Sequence, residues 1–265
     1  MRVLILAFIS IAALVCRGPV SSTDGNAVHP HRLVAPGEAS VSKRVLYITL
    51  SAGFHHAVVP LSAKILKEIG AGNGFDVTAT DDVSVISKGG LRAYNAIAFY
   101  TTGELPISDE QKEALLDFVK SGKGFLGFHS ATDTFYKWPD YGEMIGGYFD
   151  GHPWHQEVSI KVEDQGNPAT RHLGSSFAIN DEIYQFRNFS RDRVHVLLTL
   201  DTSSVDMKKN GVRRTDGDFA LAWCREYGKG RVFYTALGHE PAVWQDERFQ
   251  KMFIGALNWV TGQVI

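Results

Sequence analysis

One short apolar run constrains the fold more than any other part of the sequence. Residues 124–128 are bounded by glycine, are apolar throughout, and end abruptly at the polar pair His129 and Ser130. A continuous apolar run of this length is typical of a strand that is buried on both faces of a parallel sheet. Because ligands bind outside the carboxyl ends of the strands in open α/β sheets, we expect His129 to lie where chemistry is done.

Length and charge limit the class of protein. The 265 residues, of which 44% are hydrophobic, are enough for one sizeable α/β domain with an ample core. A formal net charge of -2 gives no electrostatic reason to expect nucleic acid as a partner. We therefore expect a small, neutral or weakly charged ligand, while the oligomeric state stays open.

The first residues differ in character from the rest of the chain. Residues 1–22 have a positively charged start, an apolar run and a small-residue cleavage site, which together predict a secretory signal peptide. The apolar run is shorter than the ~20 residues of a membrane span, so we expect no stable membrane insertion after the signal is removed. Val15 is bulkier than the small residue that precedes a lipoprotein cysteine, which argues against an anchor at Cys16. An exported protein, periplasmic or extracellular, is expected, with residues 23–43 as a flexible tether.

Strand and helix patterns alternate along the rest of the chain and predict one α/β domain over residues 44–262. Strands are predicted at residues 45–50, 75–80, 96–100, 124–128, 156–162, 194–200, 219–226 and 231–237. Helices are predicted after Pro60, after the N-cap Ser108 and at the end of the domain. Residues 132–154 are crowded with aromatic and polar side chains, which favours a loop region that forms the wall of a site.

Histidines follow several of the predicted strands and are the main candidates for chemistry. They are His55, His56, His129, His152, His155 and His239. Any one of them alone is more often a surface or hydrogen-bonded residue than a catalyst. The functional hypothesis depends on convergence, because a parallel sheet brings the loops after its strands together.

Acidic partners for these histidines are available in the segment from Asp181 to Tyr184, which shows neither a clear helix nor a clear strand pattern. Its carboxylates would orient a histidine or share a proton with it, or Asp181 would stabilise a structural turn. Residues 127–130 also resemble a nucleophile elbow, but His129 occupies the position of the nucleophile. Cys224 has apolar neighbours and is interpreted as a core thiol.

Several ordered motifs resemble those of the ThuA-like family, which is named for trehalose utilisation. The motifs lie at residues 53–55, 124–131, 145–149, 151–153, 181–184, 222–231 and 237–239. The resemblance runs from about Arg44 to Trp259 and implies a fold like that of class I glutamine amidotransferases. This fold is a flavodoxin-like three-layer α/β sandwich with a mainly parallel central sheet. Because His129 replaces the nucleophilic cysteine of those enzymes, and an imidazole cannot form their thioester, glutamine hydrolysis is not expected.

The resemblance also implies a role in carbohydrate catabolism. The leading hypothesis is an exported enzyme that acts on a disaccharide or 3-keto glycoside by acid-base or metal-assisted chemistry. The expected catalytic residues are His129 and Glu182, and the expected substrate contacts are His55, Ser130, His152, Tyr184 and His239. A divalent metal such as zinc is an open possibility for a cofactor, with His129 and His239 as candidate ligands. Where many relatives have His-Pro, this chain has Asn167-Pro168, so no histidine role is carried over there.

Two other functions stay open. The first is a non-catalytic carbohydrate-binding or accessory protein that uses an aromatic stacking platform. The platform would consist of Trp138, Tyr141, Tyr148 and Trp154. The second is a metal-dependent hydrolase that is unrelated to sugars.

Overall fold

The parallel strands expected around residues 124–128 are present in the computed structural model, which describes residues 42–262. The predicted signal peptide, Cys16 and nearly all of the predicted tether lie outside the described residues. The strands are β1 (Lys43–Ile48), β2 (Phe75–Thr80), β3 (Ala96–Phe99), β4 (Gly124–Phe128), β5 (Tyr148–Phe149), β6 (Trp154–Val162), β7 (Ser176–Ile183), β8 (Phe186–Arg187), β9 (His195–Leu200), β10 (Ala220–Tyr227) and β11 (Gly230–Thr235). The helices are α1 (Val59–Ala71), α2 (Lys88–Leu91), α3 (Asp109–Lys120), α4 (Pro139–Ile145), α5 (Pro241–Gln245) and α6 (Glu247–Val260).

Nine strands form one sheet in the order β2-β1-β3-β4-β11-β10-β9-β6-β7. The strands from β2 to β11 in this order pair in parallel, and the remaining pairs are antiparallel. The predicted central strand β4 lies between β3 and β11, inside the parallel half. The expected α/β fold class is therefore confirmed, with the antiparallel strands added on one side of the parallel core.

Helices cover both faces of the sheet at β4. A Cβ atom added at Gly124 would lie 2.7 Å from the side chain of Val260 in α6. At Gly127, which lies on the opposite face because strand side chains alternate, an added Cβ would lie 3.1 Å from Ile145 of α4. The glycines of this strand thus allow a close approach of the helical layer on each side.

The register of the sheet brings several strand ends to one edge. Ile48 pairs with Phe99, Phe99 pairs with Gly127, and Thr235 pairs with Phe128. The loops after β1, β3, β4 and β11 therefore begin at the same level. From β11 to β7 the strand direction reverses four times, so β7 also ends at this edge.

Two local predictions are confirmed and one is wrong. Ser108 caps α3 with a complete capping box, in which its hydroxyl accepts from the amide of Gln111. The turn between Tyr227 and Gly230 closes the predicted hairpin of β10 and β11. The segment with Asp181 was expected to be neither helix nor strand, but it is the end of β7. Within residues 42–262, no helix is long and apolar enough to cross a membrane.

Candidate functional site

A cluster of four polar side chains occupies the shared edge of the sheet. His56 follows β1, His129 follows β4, His239 follows β11, and Glu182 belongs to β7. Each residue offers one nitrogen or oxygen atom, and the four atoms all lie within 4.8 Å of one another. The sheet therefore brings together side chains that are far apart in sequence, as parallel strand ends do in other α/β proteins.

His129 lies at the centre of this cluster and is held in an uncommon backbone conformation. Its φ angle is 43°, in the left-handed region that few residues other than glycine adopt. Its backbone carbonyl accepts a hydrogen bond from the Tyr234 hydroxyl at 2.7 Å, and its Nδ1 lies 2.7 Å from the carbonyl oxygen of Ala236. The Nδ1 atom must carry the proton in this contact, so Nε2 presents its lone pair to the cluster whenever the ring is neutral.

Three polar atoms surround that lone pair. The Tyr184 hydroxyl lies 2.9 Å from His129 Nε2, His239 Nδ1 lies at 3.3 Å, and Glu182 Oε2 lies at 3.5 Å. His239 Nδ1 also lies 3.0 Å from Glu182 Oε2. Burial alone would raise the pKa of Glu182, but the imidazoles of His129 and His239 outweigh it and hold the pKa well below the usual carboxyl range. Contact with Glu182 in turn raises the pKa of His239.

The structure places His56, and not its neighbour His55, in the cluster. His55, which was expected to contact substrate, is exposed and lies outside the four-residue group, where it borders an adjoining cavity with His56 and His239. His56 is only 6% exposed, and its Nδ1 has no hydrogen-bond partner within residues 42–262. Burial lowers the pKa of His56 to about 3, with a smaller contribution from His129, so its ring is neutral at physiological pH.

Asp181 holds the loop that carries His239. Its completely buried carboxylate accepts hydrogen bonds from the backbone amides of Gly238 at 2.6 Å, His239 at 3.0 Å and Glu240 at 3.0 Å. Burial raises the pKa of Asp181, although the nearby His129 and these amides oppose the increase. The carboxylate thus fixes the loop after β11 against the end of β7.

A cavity of about 300 Å³ opens onto the cluster. Its lining includes Phe54, His56, Asp133, Phe149, His152 and Glu182. The Nδ1 atom of His152 lies 3.7 Å from Glu182 Oε1, on the side of the cluster that faces solvent. Tyr184 also borders the cavity, whereas the side chain of His129 is completely buried behind it.

Three residues of the cavity were missed by the sequence analysis. Phe54 and Phe149 supply aromatic surface, and Asp133 supplies a second carboxylate. Burial raises the pKa of Asp133, against an opposing hydrogen bond from the Tyr136 hydroxyl. The signal for Asp133 was its position four residues after His129, in the same stretch that follows β4.

Other expected contacts are placed away from the cavity. Ser130 is completely buried, is not part of the cavity lining, and its Oγ has no hydrogen-bond partner within the described chain. All four residues of the proposed stacking platform are buried: Trp138, Tyr141, Tyr148 and Trp154. That platform is therefore wrong, because these rings pack in the core and offer no face to a ligand.

A second cavity, of about 510 Å³, lies on α1 and α6. It is larger, but its ionisable groups lie at the surface and do not converge. Glu247 and Lys251 pair with each other 3.5 Å apart on α6, His172 Nε2 lies 2.8 Å from the carbonyl oxygen of Arg248, and Arg171 is exposed. Burial raises the pKa of Cys224 to about 12, so the thiol of this core residue stays protonated. The cluster around His129 therefore remains the candidate site.

Comparison with known proteins agrees with the motifs in the sequence. The ThuA family model, described as trehalose utilisation, matches residues 44–260. A ThuA-like protein from Bacteroides uniformis is 25% identical, with a TM-score of 0.70 and coverage of 85% of this chain and 94% of that chain. A ThuA-like protein from Parabacteroides merdae is 20% identical, with a TM-score of 0.67 and coverage of 84% and 91%. A protein of Salmonella typhimurium named as cytoplasmic is 16% identical, with a TM-score of 0.56 and coverage of 82% and 98%. No curated protein matches the chain.

Proposed function

The chain belongs to the ThuA family of trehalose utilisation, which supports a carbohydrate-related role, and we propose that it is an exported enzyme that acts on a disaccharide or a 3-keto glycoside. One observation carries the proposal: a cluster of three histidines and a glutamate adjoins a cavity at the carboxyl edge of the sheet. Titratable groups gathered in a cleft with perturbed pKa values are characteristic of catalytic sites.

The cavity has the size and chemistry that a sugar ring needs. Its volume of about 300 Å³ is at the lower end of the range for small-molecule sites. Phe54, which is 64% exposed, and Phe149 offer aromatic faces to the C–H groups of a sugar. Asp133, His152 and Glu182 offer polar atoms to its hydroxyl groups.

This arrangement supports acid-base chemistry on a 3-keto glycoside. The ketone acidifies the neighbouring C–H bond, and we assign Asp133 as the base that removes this proton, because burial raises its pKa. The electron pair of that bond then forms a carbon-carbon double bond while the bond to the glycosidic oxygen breaks. The departing oxygen takes a proton from water, so the aglycone leaves as an alcohol, and the hydroxide that is formed takes back the proton held by Asp133.

His129 and Glu182 both have roles in the proposed mechanism, but only Glu182 can contact substrate directly. Glu182 borders the cavity, where its carboxylate contacts a substrate hydroxyl or an ion. His129 is completely buried, so it acts through Glu182 and His239. A divalent ion held by the cluster would supply Lewis-acid polarisation of the ketone oxygen.

We expect the purified protein to release the aglycone from a 3-keto disaccharide and to release nothing from the parent disaccharide, because only the oxidised sugar has the acidified C–H bond. Chromatography of the products over time measures this difference. Calorimetric binding of the intact disaccharide without any product from either sugar would instead support the non-catalytic binding protein.

Export is a separate part of the proposal. The positively charged start and apolar run within residues 1–22 support it. We expect protein recovered from the periplasm or the medium to begin near Thr23 when its amino terminus is sequenced. Recovery only from the cytoplasm, with Met1 or Arg2 at the amino terminus, would contradict export without affecting the proposed chemistry.

A further inference from the structure

We propose that His56, His129, Glu182 and His239 together bind one divalent transition-metal ion of the zinc class. The sequence motifs offered His129 and His239 as candidate ligands, and the assignment of His56 and Glu182 comes from the structure. The role of the ion in catalysis rests on the proposed function, but its binding is measured without any sugar.

The distances within the cluster match those around a tetrahedral ion. Ligand atoms that bind zinc at about 2.1 Å in a tetrahedron lie ~3.4 Å from one another. The three distances among His129 Nε2, His239 Nδ1 and Glu182 Oε2 are 3.0, 3.3 and 3.5 Å. His56 completes the group within 4.8 Å of the other three. Three ligand atoms thus already have tetrahedral spacing, and His56 lies close enough to supply the fourth.

The hydrogen bonds of His129 prepare it to bind a metal. Its Nδ1 donates to the carbonyl oxygen of Ala236, which fixes the tautomer and leaves the lone pair of Nε2 facing the cluster. Histidine ligands in metalloproteins are commonly oriented by such a bond from the other ring nitrogen. Glu182 is an acceptor only when ionised, so its oxygen and the Nε2 lone pair face each other at 3.5 Å with no proton of their own between them.

Direct hydrogen bonds satisfy part of the cluster but not all of it. The Tyr184 hydroxyl can donate to His129 Nε2, and His239 Nδ1 can donate to Glu182. The Nδ1 atom of His56 remains without a partner among residues 42–262, although its residue is only 6% exposed. A buried nitrogen without a partner is costly, and an ion bound through this nitrogen would satisfy it.

Charge and ligand type identify the class of ion. Glu182 and the adjacent Asp181 bring two carboxylates to a buried site, which favours a divalent cation. Imidazole ligands suit zinc and its transition-metal neighbours, whereas magnesium prefers oxygen ligands. Because His56 and Glu182 also line the cavity, the ion would be accessible to substrate from that side.

The test uses the full-length chain, loaded with Zn²⁺ and then desalted. We expect about one equivalent of zinc by mass spectrometry, intense visible absorption after Co²⁺ substitution, and much weaker binding of Mg²⁺. Loss of an outer-shell partner commonly lowers metal affinity by ~10- to 100-fold, so His56→Ala, which removes a direct ligand, should lower the Zn²⁺ affinity by at least about 100-fold. His55→Ala removes the exposed neighbouring histidine and should leave the affinity unchanged.

Because His56 is buried, its variant is checked for folding by circular dichroism, and His239→Ala provides a second test at a partly exposed ligand. Failure of the wild-type chain to retain zinc, or full affinity in both the His56→Ala and His239→Ala variants, would overturn the metal site. A chain that retains no zinc and still acts on 3-keto sugars would overturn this inference and leave the proposed function standing. Bound zinc without any sugar turnover would overturn the proposed function and leave the metal site standing.

Discussion

Replacing His129 with asparagine is expected to lower kcat on a 3-keto disaccharide by at least ~10- to 100-fold, the loss that typically follows removal of a residue that orients the groups of a site. The imidazole contacts Tyr184, His239 and Glu182 together, so its loss disorganises the cluster whether protons or an ion are held there. Asparagine is chosen because it tolerates the left-handed backbone conformation, with φ of 43°, better than alanine does. Steady-state kinetics measures the loss.

The matched control for this variant is His195→Ala. His195 is also a histidine that hydrogen-bonds a carboxylate, with its Nε2 2.8 Å from Asp164, but its side chain is 60% exposed on β9. We expect this control to keep the wild-type kcat. Thermal unfolding of both variants separates loss of chemistry from loss of fold. A folded His129→Asn protein with wild-type kcat would remove His129 from the mechanism.

The parallel half of the fold is predictable from local patterns because its strands are short runs that are either apolar throughout, as in β4, or rich in β-branched and alternating residues, as in β2. Residues 75–80 and 124–128 were predicted as strands with the bounds that the structure shows. The Ser108 cap was equally visible, since a capping box lies within four residues of sequence. These signals are local in sequence, and the tertiary structure does not override them.

The end of β7 was not predictable, because two carboxylates interrupt its apolar pattern. Asp181 and Glu182 are both buried, and burial of a carboxylate without partners is unfavourable. The amides that satisfy Asp181 belong to residues 238–240, more than fifty positions away. A sequence pattern carries no information about such a partner, so the segment resembled a loop.

The sequence also could not tell that His56, and not His55, belongs to the four-residue cluster. Both residues lie in a loop, where no periodicity tells which side chain is buried. The aromatic residues after β4 were misassigned for a related reason, because Trp138 and Tyr141 resemble a binding surface by composition but pack in the core. The set of strand ends that converge was predictable, whereas the orientation of individual loop residues was not.

Replacing Asp181 with alanine is expected to destabilise the protein by at least about 3 kcal/mol, because three backbone amides lose their acceptor and each buried unsatisfied donor costs ~1 to 3 kcal/mol. This loss is a large share of the ~5 to 15 kcal/mol that stabilises a typical protein. The amides belong to the loop after β11, so His239 should also lose its fixed position. Urea unfolding measures the change in free energy, and kcat below the unfolding range measures the effect on the site.

Two further variants separate this role from a general effect of removing an aspartate. Asp181→Asn keeps one acceptor oxygen and nearly the same shape, so it should recover a substantial part of the lost stability. Asp82→Ala removes an exposed carboxylate that accepts from one backbone amide, that of Ser84 at 2.8 Å, and its effect should be much smaller. If Asp181→Ala unfolds at the same urea concentration as Asp82→Ala, the buried carboxylate does not hold the loop. Because the amide of His239 is one of its three donors, a stable Asp181→Ala protein with low kcat would show that Asp181 positions His239 for chemistry with little effect on folding.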